Sequence, residues 1–140
     1  MTPDAKDTLV AEVKLAEGFR ANAYQDTAGV WTVGYGTNLQ ALVISESQAE
    51  TWCIQKLDES TSEAGMAFAW FAGLSDGRQR AVVEMIYNLG LPRFQGFRKL
   101  ISAMSRGDYA QAAVEALDSD WASQVGLVRA TRIADLLQHG

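Results

Sequence analysis

The sequence predicts an α+β protein that is mostly helical and carries a small three-stranded sheet near its amino terminus. Residues typical of strands and turns are confined to 19–39, whereas helical periodicity marks the first 17 residues and resumes after residue 45. With 140 residues, of which 48% are hydrophobic, the chain can bury one good core. We therefore expect a single domain spanning 1–140.

The amino-terminal segment has the signals of a helix that starts and stops at defined residues. Thr2 can cap the helix, Pro3 suits its first position, and Gly18 suits the position just past its end. One face is apolar, formed by Ala5, Leu9, Val13 and Ala16. Glu17 then falls in the last turn, where the negative end of the helix dipole disfavours a carboxylate. That location suits a group that has to hold and donate a proton.

The following segment is predicted to form a hairpin with one additional short strand. Strands are expected over 23–25, 30–33 and 37–39, with a turn over 26–29. Asp26 lies in the turn and Thr32 on the second strand. Because so small a sheet is not stable alone, it has to pack on helices.

The remainder of the chain is predicted to be helical. A capping-box pattern at Ser45 opens a long helix to about 63, which suggests a connector between the sheet and the later helices. Further helices are expected at 65–71, 76–89, 96–105, 108–117, 119–125 and 128–138. Asp76 with Gln79 can cap the helix over 76–89, whose apolar residues make it the central one.

Composition excludes several classes of function. The formal net charge of −5 argues against nucleic-acid binding, which usually needs a basic excess. No segment has the length and apolar character of a signal peptide or a membrane span. We therefore expect a protein that is made in the cytoplasm and is not inserted into a membrane. We also expect it to be a monomer.

The small number of cysteine and histidine residues further limits the catalytic mechanisms that the chain could use. Cys53 is the only cysteine, so no internal disulfide can form. His139 is the only histidine and lies next to the carboxyl terminus, which leaves little material for histidine-based triads or metal sites. Carboxylate chemistry remains as the main enzymatic option, and we expect no cofactor and no metal.

Each candidate residue also has an ordinary structural interpretation. Glu17 could be a surface residue at a helix end, and Asp26 could be a turn residue, since aspartate favours turns. Trp31 and Tyr35 could serve packing of the strands. None of these residues is informative by itself, but their combination is.

Three polar residues stand at the spacing Glu17-x8-Asp26-x5-Thr32, followed by Gly34-Tyr35-Gly36. This pattern resembles the catalytic region of the bacteriophage-type lysozymes (endolysins), muramidases that cut peptidoglycan. The resemblance extends downstream through Asn88-Leu89-Gly90, Phe94-x-Gly96-Phe97, Asp120-Trp121 and Arg129-Ala130-x-Arg132.

The resemblance implies a lysozyme-like fold and an anionic wall polymer as partner. A sheet lobe over about 17–45 would be joined by a connecting helix, about 46–63, to a helical lobe over about 64–140, into which the amino-terminal helix 3–17 packs. Peptidoglycan would lie between the lobes. The protein would act on the wall after release from the host cytoplasm.

The resemblance also assigns roles. Glu17 would protonate the glycosidic oxygen, Asp26 would position or activate water with help from Thr32, and Arg129 would pair with Glu17. Contacts to the saccharide would come from residues of the matched motifs or beside them: Tyr35, Gly36, Tyr87 and Phe97. Thr37 stands where the family often has histidine, and the acidic net charge differs from the basic charge of better-known members.

Two other functions remain open on the sequence alone. A lytic transglycosylase needs an acid but no second carboxylate to activate water, and Asp26 at the family spacing favours hydrolysis. A catalytically silent wall-binding or virion module would have no need to keep Glu17, Asp26 and Thr32 together.

Overall fold

A computed structural model describes all residues, 1–140, and divides them into two compact units, Met1–Glu46 and Ser47–Gly140. The first unit contains one helix and the sheet: α1 (Pro3–Glu17), β1 (Arg20–Gln25), β2 (Trp31–Gly34) and β3 (Thr37–Asn38). The later helices are α2 (Glu46–Ala67), α3 (Asp76–Leu89), α4 (Leu91–Phe94), α5 (Arg98–Ser105), α6 (Tyr109–Leu117), α7 (Asp120–Val125) and α8 (Leu127–His139). The predicted α+β class, mostly helical with a small sheet, is confirmed.

Helix α1 begins and ends where its local signals predict. The Thr2 side chain accepts a hydrogen bond from the Ala5 amide at 3.3 Å. Gly18 has φ 68°, a conformation that costs other residues energy, and its amide donates to the Lys14 carbonyl. These two ends place Glu17 as the last helical residue. The docking of α1 on a helical lobe stays a prediction.

The sheet is antiparallel with the order β1-β2-β3, so β2 is its central strand. Thr32 on β2 is paired with Tyr24 of β1 on one side and with Asn38 of β3 on the other. Thr32 is buried, with only 5% of its surface exposed.

Helix α3 contributes more buried residues to the core of the second unit than any other helix, in line with its apolar sequence, and it packs against α8. The fully buried large side chains come from several helices: Met85, Ile86, Phe94, Leu100, Met104, Ile133 and Leu137. Burying a side chain of this size stabilises the fold by about 1.5–3 kcal/mol. This packed unit provides a rigid support for the charged side chains on the exposed sides of α3 and α8.

The helix expected over 65–71 is wrong. Helix α2 continues to Ala67, and a separate 3-10 turn covers Phe71–Gly73. The side-chain amide of Gln79 donates to the carbonyls of Phe71 and Leu74, so it holds this turn instead of capping α3. Periodicity could not reveal this, because apolar residues buried in a turn resemble those buried in a helix.

The cap of α3 also differs from the prediction. Ser75 takes the N-cap position, but its hydroxyl donates to the Gly140 carbonyl and accepts from the Arg78 side chain, and it does not cap a backbone amide of α3. Asp76 is the first helical residue.

No helix combines the length and the apolar character required to cross a membrane.

Candidate active site

The carboxyl group of Glu17 lies against the turn between β2 and β3. An ideal Cβ built on Gly36 would stand 2.7 Å from Glu17 Oε2 and 3.0 Å from its Cδ. Since real side-chain atoms do not approach so closely, only glycine leaves room for the carboxyl group in this position. Glu17 itself is exposed, so it is accessible to a substrate.

Asp26 opens a tight turn with its own side chain. Its Oδ1 accepts hydrogen bonds from the amides of Ala28 and Val30, both at 2.8 Å. The Asp26 amide donates to the Val30 carbonyl at 3.0 Å and closes the turn. Because Oδ1 is held by two backbone donors, Oδ2 is left to accept a hydrogen bond or a proton from water.

Thr32 is hydrogen-bonded to Val30, the residue that also binds Asp26. Its hydroxyl donates to the Val30 carbonyl at 3.0 Å, while the Val30 amide donates to Asp26. A threonine hydroxyl has one donor and two acceptor lone pairs, so after donation to Val30 its oxygen can still accept a hydrogen bond. The hairpin thus supplies an oriented carboxylate and an oriented hydroxyl.

Tyr35 is bracketed by two residues that flank Glu17 in sequence. Lys14 Nζ lies 5.3 Å from the centre of the Tyr35 ring, and the Phe19 ring centre lies 5.5 Å away. A cation over a tyrosine face and a tilted aromatic pair are both attractive. These contacts hold the β2–β3 turn to the end of α1. The sequence argument missed Lys14 and Phe19, although Lys14 is one helical turn before Glu17.

In the second unit, Arg129 is paired with Glu84 of α3. Its Nε lies 3.0 Å from Glu84 Oε1, and Arg132 lies 2.6 Å from the same oxygen. Partial burial raises the pKa of Glu84, but the hydrogen bonds and charges of Arg132 and Arg129 outweigh burial and leave that pKa below its usual value. The pairing of Arg129 with Glu17 stays a prediction. Sequence reasoning did not identify Glu84.

We expect Glu84→Gln to lower the free energy of unfolding at neutral pH by about 1 kcal/mol, since the half-exposed Arg132 is well screened by solvent. Because the pKa of Glu84 is lower in the folded protein, its contribution is complete above its usual value of 4.5 and is lost as the pH falls through the folded pKa. Urea unfolding at pH 7 and pH 3 measures this. Glu59→Gln is the control, since Glu59 forms only an exposed pair with Lys56 at 3.8 Å. A loss that is equally large at both pH values would contradict the electrostatic account.

Tyr87, expected to contact saccharide, lies on the same side of α3 as Glu84. A hydrogen bond with the Cys53 thiol raises the pKa of the Tyr87 hydroxyl above its ordinary value, so the hydroxyl is protonated at neutral pH. Both residues line a cavity of about 460 Å³ together with Glu84 and Arg129. Cys53 is therefore a partly buried thiol that lines a cavity, a position that its neighbours in the sequence did not suggest.

Phe97, the other predicted contact of the second unit, is partly buried against the core. Its ring stacks on Phe94 with centres 6.2 Å apart, and it lines a separate cavity of about 590 Å³. Trp121 lines the same cavity and donates from its indole nitrogen to Asn88 Oδ1 at 2.9 Å. Aromatic rings and fixed amides of this kind suit a polar ligand with apolar faces.

The fold and the first unit together define a class of protein. A mostly helical α+β chain in which a helix ends in an exposed acid, next to a hairpin with an oriented carboxylate and a buried hydroxyl, has the architecture of a lysozyme-type glycoside hydrolase. No group of three or more His, Cys, Asp or Glu side chains is arranged to hold a metal ion.

Comparison with known proteins leads from this class to a family. The family model for phage lysozyme matches residues 14–133. An endolysin of Acyrthosiphon pisum secondary endosymbiont phage 1 is 31% identical over 106 residues, which cover 74% of this chain and 70% of that protein. A probable T4-type lysozyme of Dictyostelium discoideum is 22% identical over all of this chain and 96% of its own length. The chain belongs to the phage lysozyme family, and it is accordingly a peptidoglycan hydrolase.

Proposed function

We propose that the protein hydrolyses the β-1,4 bond between N-acetylmuramic acid and N-acetylglucosamine and that it does so to lyse a bacterial host. The main support is the hydrogen bonding of Asp26, whose Oδ1 accepts from two backbone amides and whose Oδ2 is left available to water. Family membership and the exposed acid at the end of α1 agree with this assignment. The name of the endolysin relative supports the role in lysis.

In this mechanism Glu17 donates its proton to the glycosidic oxygen as the bond from that oxygen to the anomeric carbon breaks. Water attacks the anomeric carbon and gives a proton to Asp26 Oδ2, while the Thr32 oxygen accepts a second hydrogen bond from the same water. The products are a free hydroxyl on one sugar and a reducing end on the other. An attack by water from the opposite face inverts the anomeric carbon.

The runner-up is a lytic transglycosylase, in which the muramic acid's own hydroxyl attacks the anomeric carbon and no water is used. That reaction gives 1,6-anhydro ends and needs no base for water. The arrangement of Asp26 and Thr32 around Val30 favours hydrolysis, because it orients two groups that a transglycosylase does not require.

We expect mass analysis of digested, purified peptidoglycan to show fragments with reducing muramic acid ends. The measurement separates the candidates, because 1,6-anhydro ends would identify the transglycosylase reaction and intact glycan would identify a silent wall-binding module. New reducing N-acetylglucosamine ends would instead place the cleavage at the other glycosidic bond. The Glu17→Gln protein serves as the control for contaminating hydrolases.

A further inference from the structure

The turn between β2 and β3 contains two glycines with similar backbones and different surroundings. Gly34 has φ 67° and Gly36 has φ 80°, so both hold a conformation that side chains disfavour. A Cβ on Gly34 would have no atom within 4 Å, whereas a Cβ on Gly36 would meet the Glu17 carboxyl group. The requirement for glycine at 34 is therefore set by backbone conformation alone, but at 36 it is also set by Glu17.

Glu17 needs support from its surroundings. Within its unit the Glu17 carboxyl group forms no hydrogen bond and no salt bridge, and the residue is exposed. An exposed glutamate side chain samples several rotamers, and this lowers the fraction of time in which the proton points at the substrate. The contact with Gly36 restricts that freedom on one side.

The contacts of Tyr35 fix the distance between this turn and α1. Lys14 lies three residues before Glu17 and Phe19 lies two residues after it, and both contact the Tyr35 ring. The ring thus joins the turn to the helix on both sides of the acid. Without the ring, the turn would lose both of these contacts with the residues around Glu17.

We propose that Gly36 and Tyr35 are positioning residues for the Glu17 carboxyl group, a role different from the saccharide contact that the sequence suggests for them. The proposal rests on Glu17 being the acid of the proposed function. Gly36 presents a bare backbone to the carboxyl group, and Tyr35 holds that backbone in place through Lys14 and Phe19.

The comparison of Gly36→Ala with Gly34→Ala tests the proposal, because both variants carry a similar cost for positive φ. In Gly36→Ala the new methyl meets Oε2 at the end of a flexible side chain, so the carboxyl group moves and the backbone does not. We expect the two variants to lose similar thermal stability. On soluble peptidoglycan fragments, kcat of Gly36→Ala should fall about tenfold or more below that of Gly34→Ala, with KM little changed.

A readout independent of activity is the 13C resonance of the Glu17 carboxyl group in glutamate-labelled protein, assigned by its absence in Glu17→Gln. We expect it to shift in Gly36→Ala and to stay in place in Gly34→Ala. An unmoved resonance, or a raised KM with unchanged kcat, would overturn the proposal. If Glu17→Gln were fully active while the resonance still shifted, the positioning would stand and the assigned acid would be wrong.

A pair of Tyr35 variants tests the second residue and does not depend on whether Gly36→Ala folds. Tyr35→Phe keeps a ring over Lys14 and against Phe19, so we expect the Glu17 resonance to stay in place and any loss of kcat to be smaller than in Tyr35→Ala. Tyr35→Ala removes both contacts and should lower kcat and shift the resonance. Equal losses of activity in both variants would show that the hydroxyl contacts the substrate, and the positioning role of Tyr35 would be rejected.

Discussion

Glu17→Gln is expected to reduce cleavage of purified peptidoglycan by roughly 10²–10⁴-fold, the usual contribution of a positioned general acid. Glutamine keeps the shape of the side chain and its contact with Gly36, but its amide cannot transfer a proton to the glycosidic oxygen. Because Glu17 is exposed and forms no ion pair in its unit, the midpoint of thermal unfolding should be nearly unchanged. The measurement is the initial rate of release of reducing ends at equal concentrations of folded protein.

Glu12→Gln is the matched control for this variant. Glu12 lies on the same helix as Glu17 and is also exposed. Glu12→Gln removes one negative charge, as Glu17→Gln does, so the comparison separates the effect of position from the effect of net charge. We expect Glu12→Gln to cleave at the wild-type rate. A Glu17→Gln protein that is as active as this control would remove Glu17 from the mechanism.

Asp26→Asn is expected to lower the rate of hydrolysis to a similar degree, about 10²–10⁴-fold, because an amide cannot accept a proton from water at neutral pH. The asparagine oxygen can still accept the hydrogen bonds from Ala28 and Val30, so the turn should persist. The loss should therefore appear in kcat without a comparable loss of stability. Product analysis should accompany the rate, since retained cleavage with 1,6-anhydro ends would favour the transglycosylase.

Asp108→Asn provides the control for a change from aspartate to asparagine at a structural position. Asp108 caps α6 by accepting a hydrogen bond from the Gln111 amide at 3.1 Å, and asparagine is an equally good cap. We expect wild-type activity and stability from this variant. If Asp26→Asn behaves in the same way, Asp26 serves only the turn, and another group activates the water.

The parts of the fold that were predicted correctly depend on local signals. Thr2, Pro3 and Gly18 act within one helical turn of the residues they affect, so the bounds of α1 could be read from neighbouring residues. The hairpin is similarly local, because Asp26 closes its own turn. The 3-10 turn at Phe71–Gly73 was missed, since it is stabilised by Gln79, which belongs to the next helix.

In the candidate site too, features that depend on residues close in the sequence could be predicted, whereas contacts between distant residues could not. Glu17, Asp26 and Thr32 could be proposed because their spacing resembles that of the bacteriophage-type lysozymes, and the whole pattern lies within 16 residues. Arg129 could be singled out, but its observed partner Glu84 is 45 residues away, and no periodicity connects the two. Cys53 and Tyr87, which lie on different helices and line the same cavity, were equally hidden.

The class of fold, the ends of α1, the hairpin and the chemical groups available for catalysis could all be predicted from the amino-acid sequence, because each depends on residues that are close in the chain. The pairing of those groups in space could not. Packing placed a bare glycine backbone against Glu17, bracketed Tyr35 between Lys14 and Phe19, and joined Glu84 to two arginines of α8. Side chains of the same type and spacing can be free or paired, because their partners are set by which elements pack beside them.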